Sequence, residues 1–165
     1  MADKTAPFRR IVTGHDDRGR AVFRSRDMLE PEVIPSGDAA MATIWSTAEL
    51  PVDLNDEADG RLRNVGLTLN GGSVIRVCDM LPGGESPMHR TNSIDYGVVL
   101  SGTVELELDD GVIELCKAGD IIVQRGTMHL WRNPSTTDIC RIVFVLTEAQ
   151  GPYLHKGKPL EELKP

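Results

Sequence analysis

Aromatic residues are scarce: two Trp, two Tyr and three Phe make up 4% of 165 residues. That is too few for the stacking platforms on which single-stranded nucleic acids lie. Basic residues are in deficit as well. Eighteen Lys and Arg against 25 Asp and Glu leave a formal net charge of −7, and an anionic chain repels a phosphate backbone, which argues against nucleic-acid binding. Long hydrophobic runs are missing, so no transmembrane helix is expected. The opening stretch from Met1 to Pro7 lacks the apolar segment of a secretory signal. The three cysteines, Cys78, Cys116 and Cys140, are far apart and sit in apolar, strand-like runs. This argues against a disulfide framework or a CxxC zinc site and favours buried, reduced thiols in a cytoplasmic protein.

What is present is ordinary globular composition, 40% apolar and 26% charged, on a length that fits one domain. Sixteen Gly and ten Pro favour many short elements joined by turns. Ile11–Thr13 and Ala21–Phe23 flank the turn sequence His15-Asp16-Asp17-Arg18-Gly19, which predicts a hairpin. Pro31, Pro35 and Gly37 mark a loop, and Met41–Thr47 is a further strand candidate. Ala48–Asp59 reads as an irregular or partly helical acidic connection. Its alternating Asp53, Asn55 and Glu57 suggest a calcium loop, but Ala58 stands where the sharp turn needs Gly, and in the alternative register Gly66 stands where a bidentate Glu is needed. A solvated surface face is the better reading.

From Leu62 onward the pattern is regular. Ser73–Met80, Tyr96–Leu100, Val104–Leu108, Val112–Cys116, Asp120–Gln124 and Ile139–Leu146 are short β-type runs separated by Gly-rich turns. Val104, Leu106 and Leu108 alternate with Glu105 and Glu107, so that strand has one dry face and one wet face. Asp110-Gly111 is a strong hairpin signal. Ile139–Leu146 is apolar on both faces and belongs between two layers or against a partner subunit. The tail from Glu148 to Pro165 is polar, with one helical turn expected around Leu160–Leu163. Evenly spaced strands of this kind make a sandwich or a barrel.

Two histidines follow glycine turns in this region. The first lies in Gly83, five residues, His89, Arg90, Thr91, three residues, Asp95, six residues, Gly102. The second lies in Gly119, six residues, Gly126, Thr127, Met128, His129, three residues, Asn133. These spacings resemble the two motifs of the cupin superfamily, specifically the small single-domain cupins of the cupin 2 kind. In the first motif every spacing matches, but Thr91 stands at the second histidine and Asp95 at the glutamate. In the second the Gly-x2-His-x3-Asn half is intact, whereas the first half is one residue shorter and lacks its proline. No GxSxG elbow, Walker loop, HExxH or Rossmann fingerprint competes with this reading.

The resemblance implies an all-β fold: a cupin jelly-roll barrel over residues 61–147 with an N-terminal strand extension, residues 1–60, and a polar tail, residues 148–165. It implies a central pocket in which His89, Asp95 and His129 hold a divalent transition metal (Fe, Mn, Ni or Zn), with no organic cofactor. Arg76, mid-strand in an apolar context, is a candidate carboxylate clamp. Thr91, Gln124 and Trp131 are further candidates for contact with a small-molecule ligand. The implied function is a metal-dependent enzyme acting on a small organic acid or aromatic metabolite, as oxygenase, decarboxylase or isomerase. The alternative is a metal-free or non-catalytic binding or sensing module. A homodimer is expected, because the two-sided strand Ile139–Leu146 needs cover. The runs Ile11–Thr13 and Met41–Thr47 can supply it, within the chain or by exchange.

Overall fold

The structure, a computed structural model, describes residues 5–66 and 71–163; the reading of Met1 to Pro7 as free of a leader therefore falls largely outside the described residues. β1 (Phe8–His15) and β2 (Ala21–Leu29) form the expected antiparallel hairpin. Its turn is closed by Asp16, whose carboxylate accepts the amides of Arg18 and Arg20, both at 2.9 Å. Short β3 (Glu32–Val33) leads into β4 (Ala39–Thr47), and the acidic connection follows as irregular chain ending in a single 3-10 turn, Gly60–Leu62. In that connection Asp53 and Asp56 accept the amides of Asn55 and Ala58. These carboxylates therefore cap local turns.

The remaining strands are β5 (Ser73–Met80), β6 (Ser93–Ser101), β7 (Thr103–Glu107), β8 (Ile113–Lys117), β9 (Ile121–Gln124), β10 (Leu130–Arg132) and β11 (Cys140–Glu148). They build two sheets. The larger runs β3-β4-β5-β11-β6-β9 and the smaller β10-β7-β8. Ser86 and His89 extend the smaller sheet beyond β10, through amide hydrogen bonds to the carbonyls of Trp131 and His129. The core is shared across the gap. Cys78, Val99 and Ile142 of the larger sheet pack against Val104, Leu106, Cys116 and Trp131 of the smaller. This is a jelly-roll barrel. The three cysteines are free and buried, as expected. The Asp110-Gly111 turn joins β7 to β8 with both residues in the left-handed region, φ 60° and 72°. Among the described residues no helix is long and apolar enough to cross a membrane.

Two expectations change, and one strand goes unannounced. β10 falls on three residues only, too short for alternation to announce it. The expected helical turn around Leu160–Leu163 does not form. Leu163 instead exchanges backbone hydrogen bonds with Arg90, at 2.7 and 3.0 Å, because the free amide and carbonyl at that edge need partners. Beyond Tyr153, β12 (Leu154–His155) and β13 (Lys158–Pro159) make a small exposed hairpin. Finally, β11 lies between β5 and β6 inside one sheet. Met41–Thr47 pairs with β5 and so widens that sheet; it does not cover the outer face of β11. On that face Arg141 ion-pairs with fully buried Asp79 and lies 5.6 Å over the Phe8 ring of the N-terminal strand.

The N-terminal hairpin is docked by one buried cation. Arg10 is 5% exposed. It binds Asp27 of its own hairpin, Asp59 of the acidic connection and the Ile44 carbonyl of β4. Removing it leaves two half-exposed carboxylates facing each other. Arg10→Ala is expected to cost about 2 kcal/mol, below the range for fully buried pairs because both carboxylates keep solvent. Ile142→Ala, which empties a fully buried site between the sheets, is expected to cost about 3 kcal/mol. Urea titration followed by circular dichroism measures both. Arg10→Ala equal in stability to the parent would refute the docking role.

Candidate functional site

The two sheets leave a cavity of about 490 Å³ between them. Its walls are mostly apolar: Met41, Met80, Trp131, Phe144 and Leu146, with Ile34 and Pro35 at the loop before β4. Trp131 stands edge-on to Phe144 with ring centroids 5.5 Å apart. Gly97 makes this floor possible, because a Cβ there would lie 2.9 Å from the Phe144 ring. The polar lining residues include Arg76, His89, Thr91, Asp95 and His129.

His89 and His129 reach the cavity from two segments that pair with each other. Each donates its amide to the other's carbonyl, at 2.8 and 2.9 Å. The two rings consequently lie side by side, with centroids 4.2 Å apart and planes tilted by 52°. Each ring is fixed the same way. His89 Nδ1 lies 2.9 Å from the Pro87 carbonyl, and His129 Nδ1 lies 2.9 Å from the Thr127 carbonyl. A carbonyl only accepts, so each Nδ1 carries the proton and each Nε2 is left as the acceptor. Burial lowers the pKa of both rings, with the backbone hydrogen bonds pulling weakly the other way; His129 is pushed down to about 4. At neutral pH the site holds two uncharged imidazoles.

The segment after His89 presents its side chains alternately, so that Thr91, Ser93 and Asp95 share the inward face with His89; His89, Thr91 and Asp95 line the cavity. Thr91, Ser93 and Asp95 are all buried. Ser93 Oγ lies 2.8 Å from Thr91 Oγ1 and 2.6 Å from Asp95 Oδ1. Burial raises the Asp95 pKa above the ordinary carboxylate range; the Ser93 hydroxyl, the Arg76 charge and Thr91 partly oppose it. Arg76 lines the same cavity and donates from Nη2 to the Gly66 carbonyl at 2.6 Å. Gln124 pairs with Asp95 on the β6–β9 ladder and is 4% exposed. It lies beside Asp95 and is not among the residues lining the cavity.

The structure thus gathers Arg76, His89, Thr91, Asp95, His129 and Trp131 around one cavity, with Gln124 next to it. The ligand set implied by the resemblance does not assemble. Among the described residues no three His, Cys, Asp or Glu side chains come together so as to hold a metal ion. Thr91 replaces one imidazole, and the Asp95 carboxylate is turned to Ser93. Two imidazoles fall short of the three protein ligands that a catalytic metal centre uses. The donor set does not fit the metal.

Ser93 and the apolar walls contributed by Met41, Met80 and Phe144 went unnamed in the sequence reading. For Ser93 and Met80, alternation with His89 and Arg76 was the available signal, since i and i+2 share a face, whereas Met41 and Phe144 come from other strands. Asn133 of the second motif has a structural role. Its side-chain amide donates to the Met80 and Asp138 carbonyls, at 2.9 and 2.8 Å, and ties the loop after β10 to β5.

A family model described as a cupin domain matches residues 76–146. The chain is 46% identical over 149 residues to the phomopsin biosynthesis cluster protein C′ of Diaporthe leptostromiformis, covering 86% of this chain and 78% of that protein. It is 40% identical over 158 residues to the cupin-domain-containing oxidoreductase fogC of Aspergillus ruber, covering 92% of this chain and 77% of that protein. Among solved structures, the polyketide cyclase RemF of Streptomyces resistomycificus superposes with a TM-score of 0.53 at 21% identity, covering 78% of this chain and 83% of that one. That likeness concerns the fold. With barrel, motif spacing and relatives in agreement, the chain belongs to the cupin superfamily.

Proposed function

We propose that this protein is a biosynthetic cupin enzyme that moves a proton on a small, largely apolar metabolite with an aromatic or polyketide-like body. One observation carries the reading: two neutral imidazoles, each with Nδ1 committed to the backbone and Nε2 available, side by side in an apolar cavity. Relatives that share 40–46% of their residues carry names from biosynthesis clusters or are named oxidoreductases, which favours an enzyme over a sensing module.

The chemistry follows from the environment. A neutral imidazole in a dry cavity accepts a proton from carbon or oxygen without first shedding one of its own. The second ring, 4.2 Å away, lowers the charge capacity of the pair to one, because two imidazolium ions at that separation repel. The Trp131, Phe144 and Met walls hold an apolar ring and exclude water from it. Arg76 and Asp95 give the cavity a polar end, so a ligand with one polar head and an apolar body fits its layout.

We also propose a homodimer. The outer face of β6 and β9 exposes Tyr96, Leu100, Ile121 and Val123, with Ile121 at 70%. A second copy of the chain is the occupant we assign to that face, since the hairpin exposes matching apolar Ile11, Phe23 and Met28. Light scattering is expected to give a dimer, and Ile121→Lys with Val123→Glu a monomer. A monomeric parent would refute the assignment.

Turnover is tested with a benzoylacetate ester in deuterated buffer, following loss of the proton between its carbonyls by NMR. The protein is expected to accelerate exchange, and His129→Gln to reduce the rate about a hundredfold. A chelator is expected to leave the rate unchanged. Because the base works only unprotonated, the rate is expected to hold as pH falls past 6 and to drop as it nears 4, where His129 takes up a proton. An exposed histidine would lose activity near 6.5. Ester binding without exchange would instead support the binding module, and loss of exchange on chelation would support the metal enzyme.

A further inference from the structure

We propose that Asp38 is a specificity residue of the cavity, which recognises a hydrogen-bond donor, a hydroxyl or an ammonium group, at the end of the ligand's apolar body away from Arg76. The proposal deepens the reading of this cavity as a metabolite site and rests on it. Asp38 belongs to the loop between β3 and β4 and lines the cavity together with Ile34, Pro35 and Ser36. Its Oδ1 is closed off from solvent, and among the described residues it has no hydrogen-bond partner. Other half-buried or buried carboxylates have one: Asp59 holds Arg10, Asp79 holds Arg141 and Asp95 holds Ser93. A buried carboxylate oxygen without a donor is costly, and a donor brought by a ligand removes that cost.

The loop holds that carboxyl in place. The Gly37 amide donates to the Ile34 carbonyl at 2.9 Å, and the Ile34 amide donates to the Ala39 carbonyl at 3.0 Å. Gly37 makes the turn in the left-handed region, at φ 80°. The Asp38 carbonyl accepts the Leu81 amide at 3.0 Å. The chain after β5 passes so close that a Cβ on Gly84 would lie 2.1 Å from that carbonyl oxygen. With its backbone tied on both sides, Asp38 needs little ordering when a ligand arrives. Its last torsion stays soft, and rotation there turns either oxygen toward a donor.

Position along the sheet gives the ligand its outline. Arg76, Cys78 and Met80 alternate along β5, and all three line the cavity. Met80 pairs with Ala39, the neighbour of Asp38. Asp38 therefore lies four residues along β5 from Arg76, about 13 Å at the rise of a strand. The Cys78 thiol between them registers both charges. Burial, then the Asp79 carboxylate, pushes it up to about 12; Arg76 lowers it and Asp38 adds to the rise. A cation at one end, a carboxylate at the other and an apolar floor between them select an elongated ligand with unlike ends. A carbonyl or carboxyl group belongs toward Arg76, and a donor toward Asp38. A ligand with an apolar far end is rejected, because it covers the carboxylate and brings it no donor.

The test is calorimetric titration of the full chain with three esters of one shape: ethyl benzoylacetate, its 4-hydroxy derivative and its 4-aminomethyl derivative. The parent is expected to bind at least one of the two donor-bearing esters about ten- to a hundredfold more tightly than the unsubstituted one. Asp38→Ala is expected to erase that preference and to leave the affinity for the unsubstituted ester unchanged. Asp38→Asn keeps the size of the side chain and one acceptor oxygen but not the charge. It is expected to retain part of a preference for the hydroxyl and to lose a preference for the ammonium, which tells the two donors apart. Equal affinity of the parent for all three esters overturns the proposal. So does a preference that survives in Asp38→Ala, and so does an equal loss for all three esters in that variant, which marks a purely structural residue. Binding is read without turnover. A protein that shows the Asp38-dependent preference and no proton exchange therefore overturns the acid–base reading and leaves the role of Asp38 standing.

Discussion

The reciprocal backbone pair between His89 and His129 is the contact on which the site depends. Two amides and two carbonyls close it, at 2.8 and 2.9 Å. It joins the segment that leaves β5 of the larger sheet to the start of β10 in the smaller sheet. The same pairing sets two imidazoles 4.2 Å apart over the cavity. Every chemical property assigned to the site follows from that placement. Both rings become buried, burial removes their charge, and the neighbouring carbonyls of Pro87 and Thr127 fix which nitrogen holds the proton.

Packing and polarity are divided along the same lines. The apolar floor depends on Gly97 leaving room for Phe144, and on Trp131 standing edge-on to that ring. The polar wall depends on one strand-like segment keeping strict alternation from His89 to Asp95, so that hydroxyl and carboxyl oxygens line up on one face. Arg10 performs the corresponding task outside the barrel, where it binds the N-terminal hairpin to the acidic connection and to β4. A buried cation with two carboxylate partners fixes orientation more than it adds stability, since desolvation takes back much of the attraction.

The chain keeps the cupin barrel and departs from the motif's donor chemistry at particular residues. Thr91 and Asp95 keep the motif spacing but change what those positions offer. A hydroxyl in place of an imidazole removes one ligand. A shorter carboxylate hydrogen-bonds to Ser93. The same substitutions that weaken a metal site assemble a hydrogen-bonded chain, and a fold that hosts many activities leaves room for that exchange.

Strand periodicity and turn residues determined most of the barrel. Ser73–Met80 is legible to the residue, and the hairpins at Asp16–Gly19 and Asp110-Gly111 follow from local backbone preference. The site was located by the resemblance of the glycine and histidine spacings to the two cupin motifs. The sequence could not say which of those side chains converge. His89 and His129 stand forty residues apart in sequence, yet their rings lie 4.2 Å from each other. Three-residue β10 and the docking of Leu163 on Arg90 were equally hidden, because their hydrogen-bond partners are remote in sequence. The lowered pKa of His129 belongs to the tertiary structure alone, since desolvation exists only once two sheets have closed over the ring.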